Sequence, residues 1–90
     1  MHPNDFSRLL NSVDHAPFSS DKVNRIRMAS HNRFSAMQVK TLLDHLSFDS
    51  DRVKVACMLY PRVVDRHDWR FVLDSLQFDS SRHEVMRCSR

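Results

Sequence analysis

Apolar residues along this chain recur three or four positions apart, in short runs separated by polar residues. Such spacing puts the apolar side chains on one face of an amphipathic helix. The pattern predicts three helices of this kind, near residues 5–15, 35–46 and 65–76, which we name the A helices. Their apolar faces are formed by Phe6, Leu9, Leu10 and Val13, by Val39, Leu42, Leu43 and Leu46, and by Trp69, Val72, Leu73 and Leu76.

A second set of helices is indicated by a phrase that the chain repeats every thirty residues. In its middle copy Asp49 is a predicted N-cap, and the ring of Phe48 is predicted to pack on Val53 as a hydrophobic staple. Phe18 and Phe78 take the same place in the other two copies. The copies are "APFSSDKV" (16–23), "LSFDSDRV" (46–53) and "LQFDSSRH" (76–83). They predict three B helices, near residues 20–30, 50–60 and 80–88.

Each A helix is separated from the following B helix by only about two residues, and so short a connection forces an antiparallel hairpin. The chain has no glycine and only three prolines, a composition that disfavours β-hairpins and leaves helices intact. We therefore predict an all-α fold of about six short helices, arranged as three thirty-residue helical hairpins in a short α-solenoid or compact bundle. Residues 1–90 form one predicted helical-repeat domain, with units near 5–30, 35–60 and 65–88.

Three local features refine this prediction. Ser35 and Gln38 have the S-x-x-Q spacing of a capping box, which marks the start of the second A helix. Asp65 is the predicted N-cap of the third A helix. Residues 53–60 are apolar on nearly every side, as expected of a helix packed between neighbours, so the middle B helix is predicted to form the centre of the core.

Charge and cysteine content set broad limits on function. The 14 basic and 11 acidic residues are interspersed, and the net charge of +3 permits an acidic partner without resembling a nucleic-acid-binding arm. Cys57 and Cys88 are 31 residues apart and lack the spacing of a metal or redox motif, which predicts two free thiols. No signal peptide or membrane-length apolar run is apparent, so we expect a soluble, intracellular and cytoplasmic protein, or a domain of a longer one.

The repeated phrase around Phe48, the helix "QVKTLL" (38–43) and the joint "YPRVVD" (60–65) together resemble a family known as domain of unknown function 4476. Members of that family look like helical modules of similar length, and the resemblance covers roughly Phe6 to Met86. It therefore implies an all-helical fold. The family carries no established activity, so the resemblance implies no catalytic residue, cofactor or partner.

The sequence contains no pattern typical of an active site or a metal site. Its six histidines are scattered, and His15 and His45 fall at equivalent places of different units rather than in an i, i+4 pair. Burial of Cys57 in the most apolar helix would suppress the reactivity of its thiol. Phosphate-binding loops need glycine, which is absent. We therefore expect no catalytic residues, no metal, no cofactor and no enzyme activity.

A regular series of charges lies at the predicted corners between A and B helices. Lys22, Arg52 and Arg82 each follow an aspartate by eight residues. Either each cation pairs with that aspartate across the turn, or the cations and the free amides of the helix start form an anion-binding site. The ion pair is the favoured interpretation. The aspartates are Asp14, Asp44 and Asp74.

Four residues of the second and third A helices form the predicted partner-binding patch. Arg66 and Arg70 lie four residues apart, and Lys40 occupies the place equivalent to Arg70. Phe71 lies on a helix face away from the apolar stripe. It either packs against the preceding A helix or is an exposed aromatic anchor for a partner.

These features favour a non-enzymatic helical-repeat interaction module that binds an acidic peptide or domain on its A helices. The two alternatives are weak nucleic-acid binding through basic helix faces and a purely structural role in self-association. The sequence predicts no membrane partner and does not specify the oligomeric state. The basic residues assigned to nucleic-acid binding are Arg25, Arg27, Arg33, Arg66 and Arg70.

Overall fold

Helices form all the regular secondary structure of residues 1–89, which are the residues that this computed structural model describes, apart from one isolated bridge between Phe34 and Val63. The all-α prediction is therefore confirmed. Two 3-10 turns, Tyr60–Arg62 and Arg66–Asp68, lie in the second half of the chain. The six α-helices of this described part are α1 (Pro3–His15), α2 (Ser19–Met28), α3 (Ala36–Asp44), α4 (Asp49–Leu59), α5 (Arg70–Leu73) and α6 (Asp79–Cys88).

The helices pack in pairs and in rows. α1 packs against α2, and α3 against α4, across the short connections that the sequence predicts. Helices α2, α4 and α6 lie side by side in that order, and α3 packs against α5. α4 thus contacts α2, α3 and α6, which confirms its predicted place at the centre. It buries Val55, Ala56 and Leu59 completely.

The apolar faces of the A helices form the core, as predicted. Val39, Leu42 and Leu43 of α3 are fully buried, and Val13 and Val72 join them in one hydrophobic cluster. Each such side chain stabilises the fold by about 1.5–3 kcal/mol when it leaves water. The cluster draws on all six helices, so it holds them together in one core.

The start of α3 is as predicted, whereas the third A helix is not. Gln38 N donates to the Ser35 hydroxyl, and Ser35 N donates to the Gln38 side chain, so the capping box is confirmed. The helix predicted over 65–76 is wrong in extent, because it consists of a 3-10 turn followed by the one-turn α5. Its predicted N-cap makes no side-chain bond to its own helix. The Asp65 carboxylate accepts a hydrogen bond from Ala36 N, 2.7 Å away, and thus caps α3 instead of its own helix.

The predicted aromatic staples are wrong. α4 begins one residue earlier than the sequence predicts, so Phe48 takes the N-cap position and Asp49 the first helical position. Phe18 and Phe78 hold the same N-cap position in α2 and α6. A staple needs its aromatic ring one residue before the N-cap. The three rings are consequently exposed to solvent.

The prediction of two free thiols is also wrong. Cys57 of α4 and Cys88 of α6 form a disulfide, with their Cα atoms 5.6 Å apart. The two helices pack side by side, and this packing brings together two cysteines that no sequence motif connects. The bond ties the last residue of α6 to the central helix of the fold.

Reduction of this disulfide is expected to lower the free energy of unfolding by about 3–4 kcal/mol, because the bond constrains the unfolded chain over a separation of 31 residues. Urea unfolding followed by circular dichroism, with and without reductant, measures the change. The Cys57→Ser/Cys88→Ser variant is the control. Its free energy of unfolding should equal that of the reduced wild type and should not change when reductant is added. Equal stability of the oxidised and reduced wild type would contradict the expectation.

Candidate functional site

Each corner between an A helix and the following B helix is closed by a basic side chain. We use "corners" for residues 14–22, 44–52 and 74–82. The basic side chain donates to a backbone carbonyl in the last turn of the preceding helix, and the same carbonyl also accepts from the backbone N–H three residues further on. A cation at that place also complements the negative end of the helix dipole. The bonds join Lys22 to Val13, Arg52 to Leu43 and Arg82 to Leu73, at 3.1, 3.2 and 3.3 Å.

The ion pairs predicted across these corners are wrong. Asp44 pairs with Lys40 of its own helix at 3.1 Å, and Asp14 pairs with His45 of the next corner. Arg52 and Arg82 instead donate to helix-end carbonyls, and each pairs with the aspartate three residues before it. The sequence predicts pairs that join Asp14 to Lys22, Asp44 to Arg52 and Asp74 to Arg82.

An anion site built from Lys22, Arg52 and Arg82 stays a prediction. The donors that it would use are engaged within the chain, since every guanidinium nitrogen of Arg52 donates to a carbonyl or to Asp49. An anion bound at this corner would have to compete with those acceptors. The corner cations therefore have a structural role in the fold, whatever else they bind.

Asp49 is a buried carboxylate that joins two neighbouring corners. Its oxygens accept hydrogen bonds from the backbone N–H groups of Gln77 and Phe78, both at 3.0 Å, and from Arg52 at 3.1 Å. Burial by itself raises the pKa of Asp49, but these bonds and one from the Ser81 hydroxyl outweigh burial and hold the pKa below its usual value. The site therefore favours the ionised carboxylate.

A cleft lined by three arginines opens at the opposite end of the helices, where B helices lead into the next A helices. Its volume is about 450 Å³. We name it the arginine cleft. No acidic side chain belongs to its lining in the described chain, so the cleft is cationic. The lining residues are Arg33, Pro61, Arg62, Val63, Val64 and Arg66.

A backbone bridge holds the two sides of the arginine cleft together. Phe34 N donates to Arg62 O, and Val64 N donates to Phe34 O, each at 3.0 Å. The Phe34 ring is fully buried, which fixes the bridge to the core. The Arg62 side chain also donates to the carbonyls of His31 and Asn32. The joint after α4 is thus tied to the joint after α2.

Arg66 is held at the cleft by an aromatic pair. The central carbon of its guanidinium lies 4.7 Å from the centre of the Tyr60 ring. Tyr60 in turn meets Trp69 edge to face, with the ring centres 4.9 Å apart. Cation–π contact fixes the position of a guanidinium while leaving its N–H groups free to bind. The guanidinium of Arg66, a predicted contact residue, is therefore held in a defined position by the rings of Tyr60 and Trp69.

The other residues of the predicted partner-binding patch lie outside the arginine cleft. The Arg70 guanidinium carbon lies 5.1 Å from the centre of the Phe71 ring. Phe71 is half-buried and is not part of the hydrophobic cluster in the described chain. Lys40 is paired with Asp44 on α3. Because α3 packs against α5, Lys40 and Arg70 lie on neighbouring helices.

Sequence reasoning misses Arg62 as a candidate site residue. Arg33 and Arg66 are both assigned to nucleic-acid binding by their charge, but nothing in that assignment places them in one cleft. The useful signal is the presence of arginines at both joints that lead from a B helix to an A helix. In stacked hairpins those joints meet at one end of the fold, so their arginines converge.

Two kinds of site are not found in residues 1–89. No group of three or more histidine, cysteine, aspartate or glutamate side chains is placed there to hold a metal ion. None of the helices in this range has the length and apolar character needed to cross a bilayer. The absence of enzyme activity and of a cofactor stays a prediction.

Replacing Asp49 by asparagine is expected to lower the free energy of unfolding by about 2–3 kcal/mol, because an amide nitrogen would then face the N–H donors of the next corner. Asp79→Asn is the matched control. Asp79 holds the same place in α6, but its side chain is 89% exposed against 6% for Asp49, and its loss should cost less than about 0.5 kcal/mol. Equal effects of the two changes in urea unfolding would refute the role given to Asp49.

The lowered pKa of Asp49 predicts a pH dependence of definite sign. The folded pKa lies below the ordinary value of 3.8, so the stabilisation is complete above that value and is lost as the pH falls through the folded pKa. The stability difference between wild type and Asp49→Asn should be constant above about pH 5 and shrink below about pH 4. Thermal unfolding across this range measures the difference. A difference that does not change with pH would be evidence against an ionised Asp49.

Comparison with known proteins bears on the identity of the chain. Searches among curated proteins and among solved structures gave no match. A family model described as "Domain of unknown function (DUF4476)" matches residues 1–89. This match agrees with the resemblance carried by the repeated phrase and by the "YPRVVD" joint. The chain belongs to the family of domain of unknown function 4476.

Proposed function

We propose that this chain is a non-enzymatic helical-repeat interaction module and that the arginine cleft binds an acidic segment of a partner protein. The observation that carries the proposal is the convergence of Arg33, Arg62 and Arg66, from two separate joints, on one cleft of about 450 Å³. Three like charges repel one another where no carboxylate of the described residues lines the cleft with them, and a bound anion relieves that repulsion. The cleft therefore favours a ligand of negative charge.

The lining of the cleft suits a peptide better than a free ion. Guanidinium groups bind carboxylates through paired N–H donors, and Pro61 and Val64 add apolar surface for a neighbouring side chain. Arg66 is fixed over Tyr60, and Arg62 is fixed by two backbone carbonyls, which occupy its Nε and one terminal nitrogen and leave its other terminal nitrogen for a ligand. These side chains are already ordered, so binding costs little further conformational entropy.

The predicted patch extends this surface along the A helices. Arg66 belongs both to the patch and to the arginine cleft, and Arg70 follows it by four residues. Arg70 and Phe71 stack on each other, while Lys40 lies on the neighbouring helix α3. A partner longer than the cleft would reach these residues. We assign the main contribution to the cleft and a secondary one to the patch.

The helical-repeat part of the proposal rests on contacts that recur at thirty-residue intervals. Lys22, Arg52 and Arg82 each donate to the carbonyl nine residues earlier in the chain. Such a recurrence is typical of stacked copies of one hairpin, in which neighbouring units build a continuous surface. The shared surface suits partners that are extended segments rather than compact ligands.

A cytoplasmic location stays a prediction. The disulfide between Cys57 and Cys88 counts against it, because thiols are kept reduced in the cytosol. An oxidising compartment accords better with this bond. The proposed binding of an acidic segment holds in either place, since arginines stay charged at all physiological pH values.

Nucleic-acid binding through the basic residues is a weaker candidate function than binding of an acidic segment. Of the residues assigned to it, Arg25 donates to the Ser12 carbonyl and hydroxyl, and Arg27 donates to the Asn24 side chain. These two arginines are thus partly engaged within the chain. Binding to nucleic acid would weaken steeply with salt, roughly as the 0.7–0.9 power of salt concentration for each phosphate contacted. Binding of a peptide in the cleft would show a gentler slope.

The proposal is tested with a labelled glutamate-rich peptide that contains interspersed leucines, titrated in fluorescence anisotropy. Arg33→Glu/Arg66→Glu is expected to weaken binding by about tenfold or more, because it reverses two of the three charges of the cleft. Arg8→Glu/Arg87→Glu is the control, since it changes the net charge equally at exposed residues outside the cleft. The control should retain affinity within about twofold.

Equal loss of affinity in both variants would contradict a specific cleft. Tighter and steeply salt-dependent binding of single-stranded or duplex DNA would favour the nucleic-acid candidate instead. Self-association that the peptide does not affect, measured by sedimentation at two concentrations, would favour the structural role. The variant Arg66→Glu/Arg70→Glu/Phe71→Ala, checked for helical content, reports the additional contribution of the patch.

A further inference from the structure

Three phenylalanines are exposed at places where the fold gives them no packing role. Phe18, Phe48 and Phe78 are 68, 57 and 61% exposed, and none belongs to the hydrophobic cluster of the described residues. A phenylalanine left in water forgoes the stabilisation that burial of its ring would give. One exposed apolar residue needs no explanation. Three of them at the same position of three successive corners do.

Contacts between neighbouring corners place the three rings along one edge of the protein. Asp14 of the first corner pairs with His45 of the second, and Asp49 of the second corner binds Gln77 N and Phe78 N of the third. The helices that start at the three rings lie side by side, and packed helices are about 8–10 Å apart. The row is therefore roughly 20 Å long. We name the row of Phe18, Phe48 and Phe78 the phenylalanine edge.

The phenylalanine edge is acidic, although the chain as a whole is basic. The three corners hold seven aspartates and three basic residues, a formal charge of −4, whereas the rest of the chain has eleven basic and four acidic residues, a charge of +7. The three corner cations are engaged with helix-end carbonyls. The side chains of Asp14, Asp44 and Asp79 are at least half exposed, although they also pair with His45, Lys40 and Arg82. The corners that carry the rings are therefore net negative and present carboxylates to solvent.

We propose that the phenylalanine edge is a second docking surface, and that its occupant is a basic segment of a partner protein with apolar side chains among its lysines or arginines. The apolar side chains of such a segment would cover the three rings, and its cations would meet the corner carboxylates. An arginine or lysine can also bind the face of a phenylalanine ring. Charge decides between the candidate occupants, since an anionic membrane surface would be repelled by the same carboxylates.

This surface is independent of the arginine cleft. The two lie at opposite ends of the helices and favour ligands of opposite charge. A partner at the phenylalanine edge leaves the cleft free, so the chain would bind one basic segment and one acidic segment at once. The two sites can therefore be tested separately with different probes.

The test uses a labelled amphipathic peptide made of leucine and lysine, with a leucine and glutamate peptide of the same pattern as its counterpart. The Phe18→Ala/Phe48→Ala/Phe78→Ala variant is expected to bind the lysine peptide about tenfold or more weakly than wild type. Its thermal stability should be unchanged, because the rings are exposed. The control is Met28→Ala/Met37→Ala/Met86→Ala, which removes exposed apolar side chains from other surfaces and should bind like wild type.

Three results would overturn the proposal. The first is equal binding of the lysine peptide by the phenylalanine variant and wild type. The second is co-sedimentation with anionic phospholipid vesicles that depends on the phenylalanines. The third is a dimer that wild type forms and the phenylalanine variant does not, together with no binding of the lysine peptide by either protein. The occupant of the phenylalanine edge would then be a second copy of the chain. Binding of the glutamate peptide, which depends on the arginine cleft, should be the same in the phenylalanine variant and in wild type.

Discussion

The buried carboxylate of Asp49 is the contact on which the relative position of α4 and α6 depends. It accepts from two backbone N–H groups of the third corner and from Arg52, whose other nitrogens close the end of α3. Removing a carboxylate from water is costly unless it is fully hydrogen-bonded. Because its partners are the backbone of residues 77 and 78, the Ser81 hydroxyl of α6 and Arg52 of α4, a shift between α4 and α6 would leave the charge poorly paired.

The class and order of the helices are predictable from sequence because they depend on signals that act within one or two helical turns. The spacing of Val39, Leu42 and Leu43 defines the buried face of α3, and Ser35 with Gln38 defines its start. The resemblance to the family supports the same fold. Arg33 and Arg66 of the candidate site are identified too, but only as basic residues of separate segments, and Arg62 is missed.

Contacts between hairpins are not predictable from these local signals. Asp49 and Asp65 both lie where an N-cap is expected, yet each carboxylate binds amides of a neighbouring segment. Local propensity cannot distinguish a cap on the same helix from one on the next, since the chemistry is identical. Cys57 and Cys88 likewise meet only because α4 and α6 are adjacent. The arginine cleft follows from the bridge at Phe34, a backbone contact with no signature in the sequence.

The disulfide between Cys57 and Cys88 also decides how the protein bears mechanical load. Tension applied to the chain beyond residue 88 passes through the sulfur bridge to α4 and then toward the amino terminus. The loop that contains α5 and α6 is bypassed and bears none of the pull. Resistance to stretching is then set by extraction of the central helix from the core, rather than by the peeling of the last helix from its neighbour.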